Sequence, residues 1–189
     1  MANKVKFGLT NVHVAPITEQ TSTTITYDTI FEVPGAVNLT LDPEGESADF
    51  YADNTKYFSD EANNGYKGNL EMALIPDIFR QKILGETVDS NGALVETSND
   101  VIKPFALGFQ INGDKTNRKY WLYNVSTSRP STNAQTTENK NEPKTDSLSL
   151  SAMPRLKDGK VRTFLEKTSD NETAYNSFFQ NVYESVVSG

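Results

Sequence analysis

Residues 104–131, PFALGFQINGDKTNRKYWLYNVSTSRPS, carry the clearest structural pattern in this 189-residue chain. Phe105, Leu107, Phe109 and Ile111 alternate with smaller or polar residues. A period of two predicts a β-strand with one buried face. The intervening residues are therefore expected to point outward from the sandwich.

A second strand follows a turn signal. Asn and Gly adopt positive φ at low cost, so Asn112-Gly113-Asp114 predicts a hairpin that joins the two strands. By alternation, one face of the second strand carries Tyr120, Leu122 and Asn124, and the other carries Trp121, Tyr123 and Val125. The pattern predicts a β-hairpin at the centre of the fold.

The same period recurs along the chain. The predicted inward residues are Val37, Leu39 and Leu41, then Leu70, Met72 and Leu74, and then Leu148, Leu150 and Ala152. The runs KVKFGLTNVHVAP, ITYDTIFEV and VRTFLE add further strands, about eight in all. We therefore predict a mainly β fold, a sandwich or barrel, in one domain spanning residues 1–189.

A short helix is predicted at residues 75–85, IPDIFRQKILG. Pro76 and Asp77 suit a first helical turn, and Gly85 suits the C-terminal cap. One face carries Ile75, Phe79 and Ile83 at spacings of four. A short helix with one apolar face is expected to cover the flank or open end of a sheet.

A second helix is predicted at residues 170–187. Its apolar residues recur at spacings of three and four: Tyr175, Phe178, Phe179, Val182, Tyr183 and Val186. Ser169 and Glu172 have the spacing of a capping box. This amphipathic helix needs an apolar surface, and its own sandwich is favoured over a neighbouring subunit.

Two long polar segments interrupt the strands. Residues 42–68 form an acidic loop or hairpin, in which seven carboxylates between Asp42 and Glu61 oppose one base, Lys56. Residues 126–146 contain no large apolar side chain, so we expect a mobile loop. Long loops on a rigid scaffold commonly serve binding or assembly.

Charge is segregated along the chain. Residues 155–167 hold five bases against two acids, and Lys115, Arg118 and Lys119 form a smaller basic cluster. Unlike patches on one small domain suit a head-to-tail contact that closes rings or extends filaments. The candidate assembly contacts are Asp49, Asp53, Asp60, Glu61, Arg118, Lys119, Arg129, Arg155, Lys157 and Arg162.

The composition argues against catalysis. The chain has no cysteine and one histidine, His13, which lies in a strand pattern and is interpreted as a packed side chain. Asp42, Glu44 and Glu46 lack the downstream glutamate of a calcium loop. We expect no enzyme activity, no metal and no cofactor.

The net charge and hydropathy exclude other classes of protein. Eighteen bases against 25 acids give a net charge of −7, which disfavours general attraction to phosphate. The first residues are not a secretion signal, and the longest apolar runs are too short to span a bilayer. We expect a soluble protein that is made inside the cell and does not enter membranes.

Several stretches together resemble one family. They are KVKFGLTNVHVAPIT, GYKGNLEMALIPDIFRQKILG, PFALGFQINGDKTNRKYWLYNVSTSRPS and EPKTDSLSLSAMPRLKDGKVR. In this order they are similar to the major tail proteins of long-tailed bacteriophages (siphoviruses), the subunits of the tail tube. The resemblance covers most of residues 4–165. Residues 169–189 fall outside it. Some family members carry an additional immunoglobulin-like domain, for which this sequence has no matching stretch.

The resemblance implies a structural virion protein with a tail-tube-type β-sandwich and a flanking helix. It implies hexameric rings of this chain that stack head to tail into the tail tube, after synthesis in the host cytoplasm. Strands of each subunit would join a continuous barrel around the channel through which genome DNA is ejected. The implied partners are further copies of the chain and the tape measure, tail terminator and distal tail proteins. DNA would pass without specific binding, which favours a neutral or acidic channel wall.

One alternative comes from a different class of protein. A carbohydrate- or receptor-binding β-sandwich, such as an adhesin or a capsid decoration module, would share the strands and loops. It would also display clustered exposed aromatic side chains.

Overall fold

The computed structural model describes residues 6–45, 47–52, 55–113, 117–131 and 144–186, with only the backbone for residues 6, 7 and 47–61. Among these residues strands far outnumber helices, which confirms the predicted mainly β fold. In chain order the strands are β1 (Lys6–Gln20), β2 (Ile25–Tyr27), β3 (Phe31–Glu32), β4 (Ala36–Glu44), β5 (Ser47–Ala52), β6 (Thr55–Glu61), β7 (Gly65–Met72), β8 (Thr87–Val88), β9 (Leu94–Val95), β10 (Phe105–Gly113), β11 (Arg118–Thr127), β12 (Asp146–Ala152) and β13 (Arg162–Leu165).

Within the described residues, nine strands form one antiparallel sheet. Its order is β2-β1-β10-β11-β12-β7-β4, with β3 also paired to β1 and β13 also paired to β11. Strands β5 and β6 form a separate two-stranded sheet inside the acidic segment, and β8 and β9 form another. The described part of the chain therefore contains one large sheet and two small hairpins.

The large sheet divides at β11. The first part of β11 pairs with β13, and only Val125–Thr127 pairs with β12. Strands β12, β7 and β4 thus form one layer, and β1, β10 and β11 form the other. Leu70 and Leu148 from the first layer share a buried cluster with Leu107 and Leu122 from the second. The core therefore lies between two layers of the same sheet, as in a sandwich.

The central hairpin forms as predicted, with one correction. Strands β10 and β11 pair antiparallel, and Phe105 and Leu107 are buried in the core. Phe105 lies opposite Val125 but Leu107 lies opposite Leu122, so β11 contains one extra residue, a β-bulge. The bulge turns Val125 to the core face beside Leu122. The prediction that Val125 shares the face of Trp121 is therefore wrong.

Two residues predicted to point inward are exposed instead. Val37 is 55% exposed because the pairing of β4 with β7 shifts between Ala36 and Asn38 and leaves Val37 as the extra residue. Leu74 is 68% exposed because β7 ends at Met72. The other predicted inward residues of these strands are buried or half-buried: Leu39, Leu41, Leu70, Met72, Leu148, Leu150 and Ala152.

The first predicted helix is confirmed. Helix α1 (Asp77–Phe79) continues into a π-helical turn (Arg80–Leu84) and ends at Gly85, whose φ of 87° is left-handed. Ile75, Phe79 and Ile83 are all buried in the core cluster. The predicted apolar face thus packs on the sandwich as the sequence indicates.

The second predicted helix is much shorter than residues 170–187. Helix α2 covers only Glu172–Asn176, and Asn171 rather than Ser169 stands at its N-cap position. Asn171 makes no side-chain capping bond to the helix, and the Ser169 hydroxyl contacts Asp170 instead. The predicted capping box between Ser169 and Glu172 is therefore wrong. We call residues 172–186, the helix and the irregular chain after it, the C-terminal strap.

Candidate assembly surface

The C-terminal strap covers the outer face of the layer formed by β1, β10 and β11. Ala15, Ala106 and Trp121 on this face are fully buried against Phe178 of the strap. The Trp121 ring lies directly on Gly108, where a Cβ atom would come within 2.9 Å of the ring. The residues that alternate with the core-facing set thus point outward from the sandwich as predicted, but on this layer the strap covers them.

Side chains of β11 hold the strap through its backbone. Three donors at alternate positions bond strap carbonyls: Lys119 Nζ to Tyr175 (2.8 Å), Trp121 Nε1 to Phe178 (2.8 Å) and the Tyr123 hydroxyl to Tyr183 (2.7 Å). The carbonyls of Phe178 and Tyr183 lie beyond α2 and accept these side-chain donors, so the strap follows the sheet after α2 ends. The predicted apolar surface is therefore the chain's own sheet, although Val186 is 88% exposed.

Arg155 fastens the end of the strap. Its guanidinium is fully buried, makes two bonds to Asp158 (2.6 and 2.8 Å) and two to Glu184 (both 2.6 Å), and lies 4.3 Å from the centre of the Tyr123 ring. Hydrogen bonds from Arg155 lower the pKa of Glu184 and of Asp158. Lys160 adds bonds to Asp158 and to Ser185.

This placement corrects the choice of Arg155 as an assembly contact. Burial favours a lower pKa for Arg155, but the bonds to Asp158 and Glu184 outweigh burial and raise the pKa. Both carboxylates belong to the same chain, so the positive charge of Arg155 is paired within the chain. Arg155 organises the strap and does not present charge to a neighbour.

Lys119 and Arg118 are also engaged within the chain. Lys119 Nζ lies 4.2 Å from the centre of the Tyr175 ring, and burial lowers its pKa, with a contribution from Lys167. Arg118 forms an ion pair with Glu166. Of the predicted basic cluster, Arg118 is therefore paired with a carboxylate of its own chain, Lys119 is held by the strap, and Lys115 lies outside the described residues.

The three remaining basic candidates lie nearer the surface. Arg129 bonds Glu96 (3.1 Å) and the Thr97 carbonyl (3.2 Å). Arg162 is exposed and lies 4.8 Å from the centre of the Tyr66 ring. Lys157 is exposed. Of the basic candidates, Lys157 and Arg162 are therefore the best placed to meet another molecule.

The acidic candidates lie on or between β5 and β6. Asp49 lies on β5, and Asp60 and Glu61 lie on β6, but their side chains are outside the described part of the chain. Asp53 lies outside the described residues altogether, and so does most of the predicted mobile loop, residues 132–143. The assembly role of these residues stays a prediction.

The outer face of β4, β7 and β12 is built differently from the face beneath the strap. We call it the open face, because none of its residues is buried: Asn38, Thr40, Asp42, Glu44, Lys67, Asn69, Glu71, Ser147, Ser149 and Ser151. Strand pairing arranges most of them in rows, such as Thr40 opposite Asn69 and Asn69 opposite Ser149. The open face is therefore a surface of short hydroxyl, amide and charged side chains.

The charge of the open face is acidic. It carries three carboxylates and one base, Lys67, and that base is paired with Glu44. Glu71 accepts a hydrogen bond from the Thr145 hydroxyl (2.6 Å). The charge segregation seen in the sequence did not reveal this face, but the period-two hydroxyls of DSLSLSA, residues 146–152, are a signal for it.

His13 has a packing role in this structure. Its ring stacks on Phe179 of the strap at 4.5 Å, and Nδ1 lies 2.8 Å from the Asn11 carbonyl oxygen. Within the described residues there is no cluster of three or more His, Asp or Glu side chains that could hold a metal ion. The geometry of His13 therefore supports a role in packing against the strap near the surface.

A scan of protein families and a search of curated proteins found no match to this chain. None of the helices in the described residues has the length and apolarity needed to cross a membrane.

Proposed function

We propose that the chain is a structural subunit of a phage tail tube, and that it assembles into stacked rings around a DNA channel. The observation that carries the proposal is the difference between the two layers. The layer of β1, β10 and β11 has the core on one face and the strap on the other. The layer of β4, β7 and β12 has the core on one face and the open face on the other.

A channel subunit needs one surface that DNA can pass without adhering. Each base on such a wall would neutralise a phosphate and release counterions, so a basic wall would retain DNA. The open face has an excess of carboxylates, and its base Lys67 is paired with Glu44. Its short side chains also present no large apolar surface to a passing duplex. These properties support the open face as the channel wall.

The internal pairing of the basic residues changes how ring contacts are expected to form. The sequence suggested broad acidic and basic patches, but Arg118, Lys119 and Arg155 are held by their own chain. Among the candidate bases, charge pairing between copies would therefore depend chiefly on Lys157 and Arg162. The main ring contact in this proposal is made by backbone and short polar side chains.

The proposal includes partners and a location. The subunit would bind further copies of itself and, at the ends of the tube, the tape measure, tail terminator and distal tail proteins. It would function in the virion, with no enzyme activity and no cofactor.

The proposal is tested by negative-stain electron microscopy of purified protein over a range of concentrations, with sedimentation velocity on the same samples. We expect rings or tubes that become more abundant with concentration, since assembly follows mass action. Monodisperse monomers under all conditions would count against a tube subunit. They would favour the alternative of a carbohydrate- or receptor-binding β-sandwich. A glycan-binding assay would then test that alternative.

A further inference from the structure

The two ends of strand β10 meet the core in different surroundings. At its first residue the Phe105 ring packs edge-on against Phe79 of helix α1, with 5.6 Å between the ring centres. Near its other end Ile111 is only half-buried, and so are Leu9, Leu39 and Leu41, although all four pack against the core cluster. The core is therefore covered by the helix at one end and partly exposed at the other.

A cleft of about 440 Å³ lies at the partly exposed end, and we call it the end cleft. The apolar side chains that line it include Leu9 of β1, Leu39 and Leu41 of β4, Phe109 and Ile111 of β10, and Leu122 of β11. Ligand sites commonly have volumes of about 300–1,000 Å³, mainly apolar walls and a few polar groups. The end cleft has the size and the lining of such a site.

One base, Arg162 of β13, also lines the end cleft. Arg162 lies opposite Leu122 in the pairing of β13 with β11. Residues directly opposite each other on antiparallel strands share a face, and Leu122 belongs to the core cluster. Arg162 is therefore on the core-facing side of its strand, although it is exposed at this end of the sandwich. A charged residue is uncommon on such a face.

Arg162 differs from the other arginines in its partners. The other four each pair with a carboxylate of the chain: Arg80 with Glu86, Arg118 with Glu166, Arg129 with Glu96, and Arg155 with Asp158. Arg162 lies 4.8 Å from the centre of the Tyr66 ring and has no carboxylate partner among the described residues. A guanidinium beside a ring keeps N–H donors that match the two oxygens of a carboxylate.

We propose that the end cleft binds a free single-chain amphiphile with a carboxylate head, such as a fatty acid. Its alkyl chain would lie against Leu39, Leu41 and Ile111, and its carboxylate would accept hydrogen bonds from Arg162. The apolar walls and the single base are complementary to a ligand with one apolar and one anionic end. Binding covers half-buried apolar side chains, so it stabilises the folded chain. The proposal does not depend on the tail-tube function.

The position of Arg162 has one other physical explanation within the fold. Strand β13 pairs only with β11 among the described strands, and an inward-pointing charge is one way in which proteins protect an edge strand. Edge protection requires the charge but no ligand. A binding measurement therefore separates the two explanations.

Titration of decanoate into the full-length chain tests the proposal, with calorimetry for affinity and methyl NMR for location. The samples are kept below the concentration at which decanoate forms micelles, and at a protein concentration that sedimentation shows to be monomeric. We expect saturable binding that shifts the methyl signals of Leu39, Leu41 and Ile111. The methyl signals of Ile75 and Ile83, at the helix-covered end, should stay unchanged. Decanol and decyltrimethylammonium test the need for an anionic head, and both should bind more weakly.

Substitution of Arg162 tests the contribution of the base. Arg162→Gln should weaken decanoate binding about tenfold, the lower end for a charge-assisted hydrogen bond, because the side chain is exposed. Arg162→Lys keeps the charge and should recover part of the affinity. Lys157→Gln removes the same charge from an exposed site outside the end cleft and should leave binding unchanged. Circular dichroism checks that each variant is folded.

Several results would overturn the proposal. Wild-type protein that shows no saturable binding would leave edge protection as the role of Arg162. Methyl shifts confined to the strap side would place the site elsewhere. Equal affinity for decanol, or equal weakening by Arg162→Gln and Lys157→Gln, would show that Arg162 does not recognise the head. Because binding is measured on monomers, none of these results bears on ring or tube formation.

Discussion

The layer of β1, β10 and β11 and the layer of β4, β7 and β12 belong to one sheet, yet their outer faces differ in chemistry. The first has alanine, glycine and aromatic residues and is covered by the strap. The second has serine, threonine, asparagine and charged residues with an excess of carboxylates, and has no cover among the described residues. The same alternation of side chains therefore builds a second core in one layer and a solvated surface in the other.

The difference separates a face that contributes to the stability of the fold from a face that stays exposed. Apolar burial on both faces of the first layer contributes to folding, because each buried aromatic removes a large area from water. The second layer gains this contribution on one face only. Its other face and its edges stay available for a function.

The largest expected effect comes from removing the aromatic centre of the covered face. Trp121 is fully buried and donates to the Phe178 carbonyl, so Trp121→Ala should lower the free energy of unfolding by about 3–5 kcal/mol. On the open face, Asn69→Ala should change it by no more than about 0.5 kcal/mol. Urea denaturation followed by circular dichroism measures both. Equal losses for the two variants would contradict the contrast between the faces.

A smaller effect is expected from the bond that fastens the end of the strap. Glu184→Gln removes one carboxylate from buried Arg155 but leaves Asp158, so we expect a loss of about 1–2 kcal/mol, discounted for the half-exposed Glu184 side chain. Hydrogen exchange should show faster exchange in residues 172–186. The exposed Glu19→Gln is the matched control.

The Glu184→Gln variant should also change the pH dependence of stability. Arg155 lowers the pKa of Glu184 in the folded state, so this stabilisation is present above the ordinary pKa of a glutamate and is lost as the pH falls through the folded pKa. Between about pH 7 and pH 3, wild-type stability should therefore fall more steeply than that of Glu184→Gln. Identical slopes would show that the Arg155–Glu184 bond does not secure the strap.

The smallest effect on stability is expected from lysines on the open face. Asn69→Lys with Ser149→Lys should change the free energy of unfolding by about 0.5 kcal/mol or less per site, since both side chains are exposed. In the tube, however, these bases would line the channel and bind phosphate. Tubes assembled with a short DNA duplex should then protect it from nuclease.

A matched pair on the strap distinguishes the channel from the outer surface. Asn176→Lys with Gln180→Lys adds the same charge at exposed positions on the other side of the sandwich. DNA bound there should stay accessible to nuclease. Protection by the strap variant, or by neither variant when tubes form, would contradict the assignment of the open face to the channel.

Much of this arrangement follows from the sequence. Alternation identifies the inward residues Phe105, Leu107 and Phe109, and the spacing of Ile75, Phe79 and Ile83 identifies the helix on the core. Both are local patterns, in which each residue is placed by its neighbours in the chain.

The errors arise where a single residue or a distant partner changes the result. The bulges near Val125 and at Val37 each add one residue and so invert the alternation, and no residue type at those positions signals them. The strap departs from a helix because β11 supplies donors such as Trp121 to its carbonyls. Arg155 is buried because Glu184, 29 residues further along, reaches it.

Selective labelling of single cysteines in assembled tubes tests the central claim most directly. Ser149→Cys lies on the open face and Asn176→Cys lies on the strap side, in a chain without other cysteines. Both should react with a small maleimide in the monomer and in the tube. If the open face lines the channel, Ser149→Cys in tubes should resist a maleimide attached to a large polymer, whereas Asn176→Cys should react with it as it does in the monomer. Equal reaction of both sites with the large reagent in intact tubes, or protection of Asn176→Cys alone, would contradict the account.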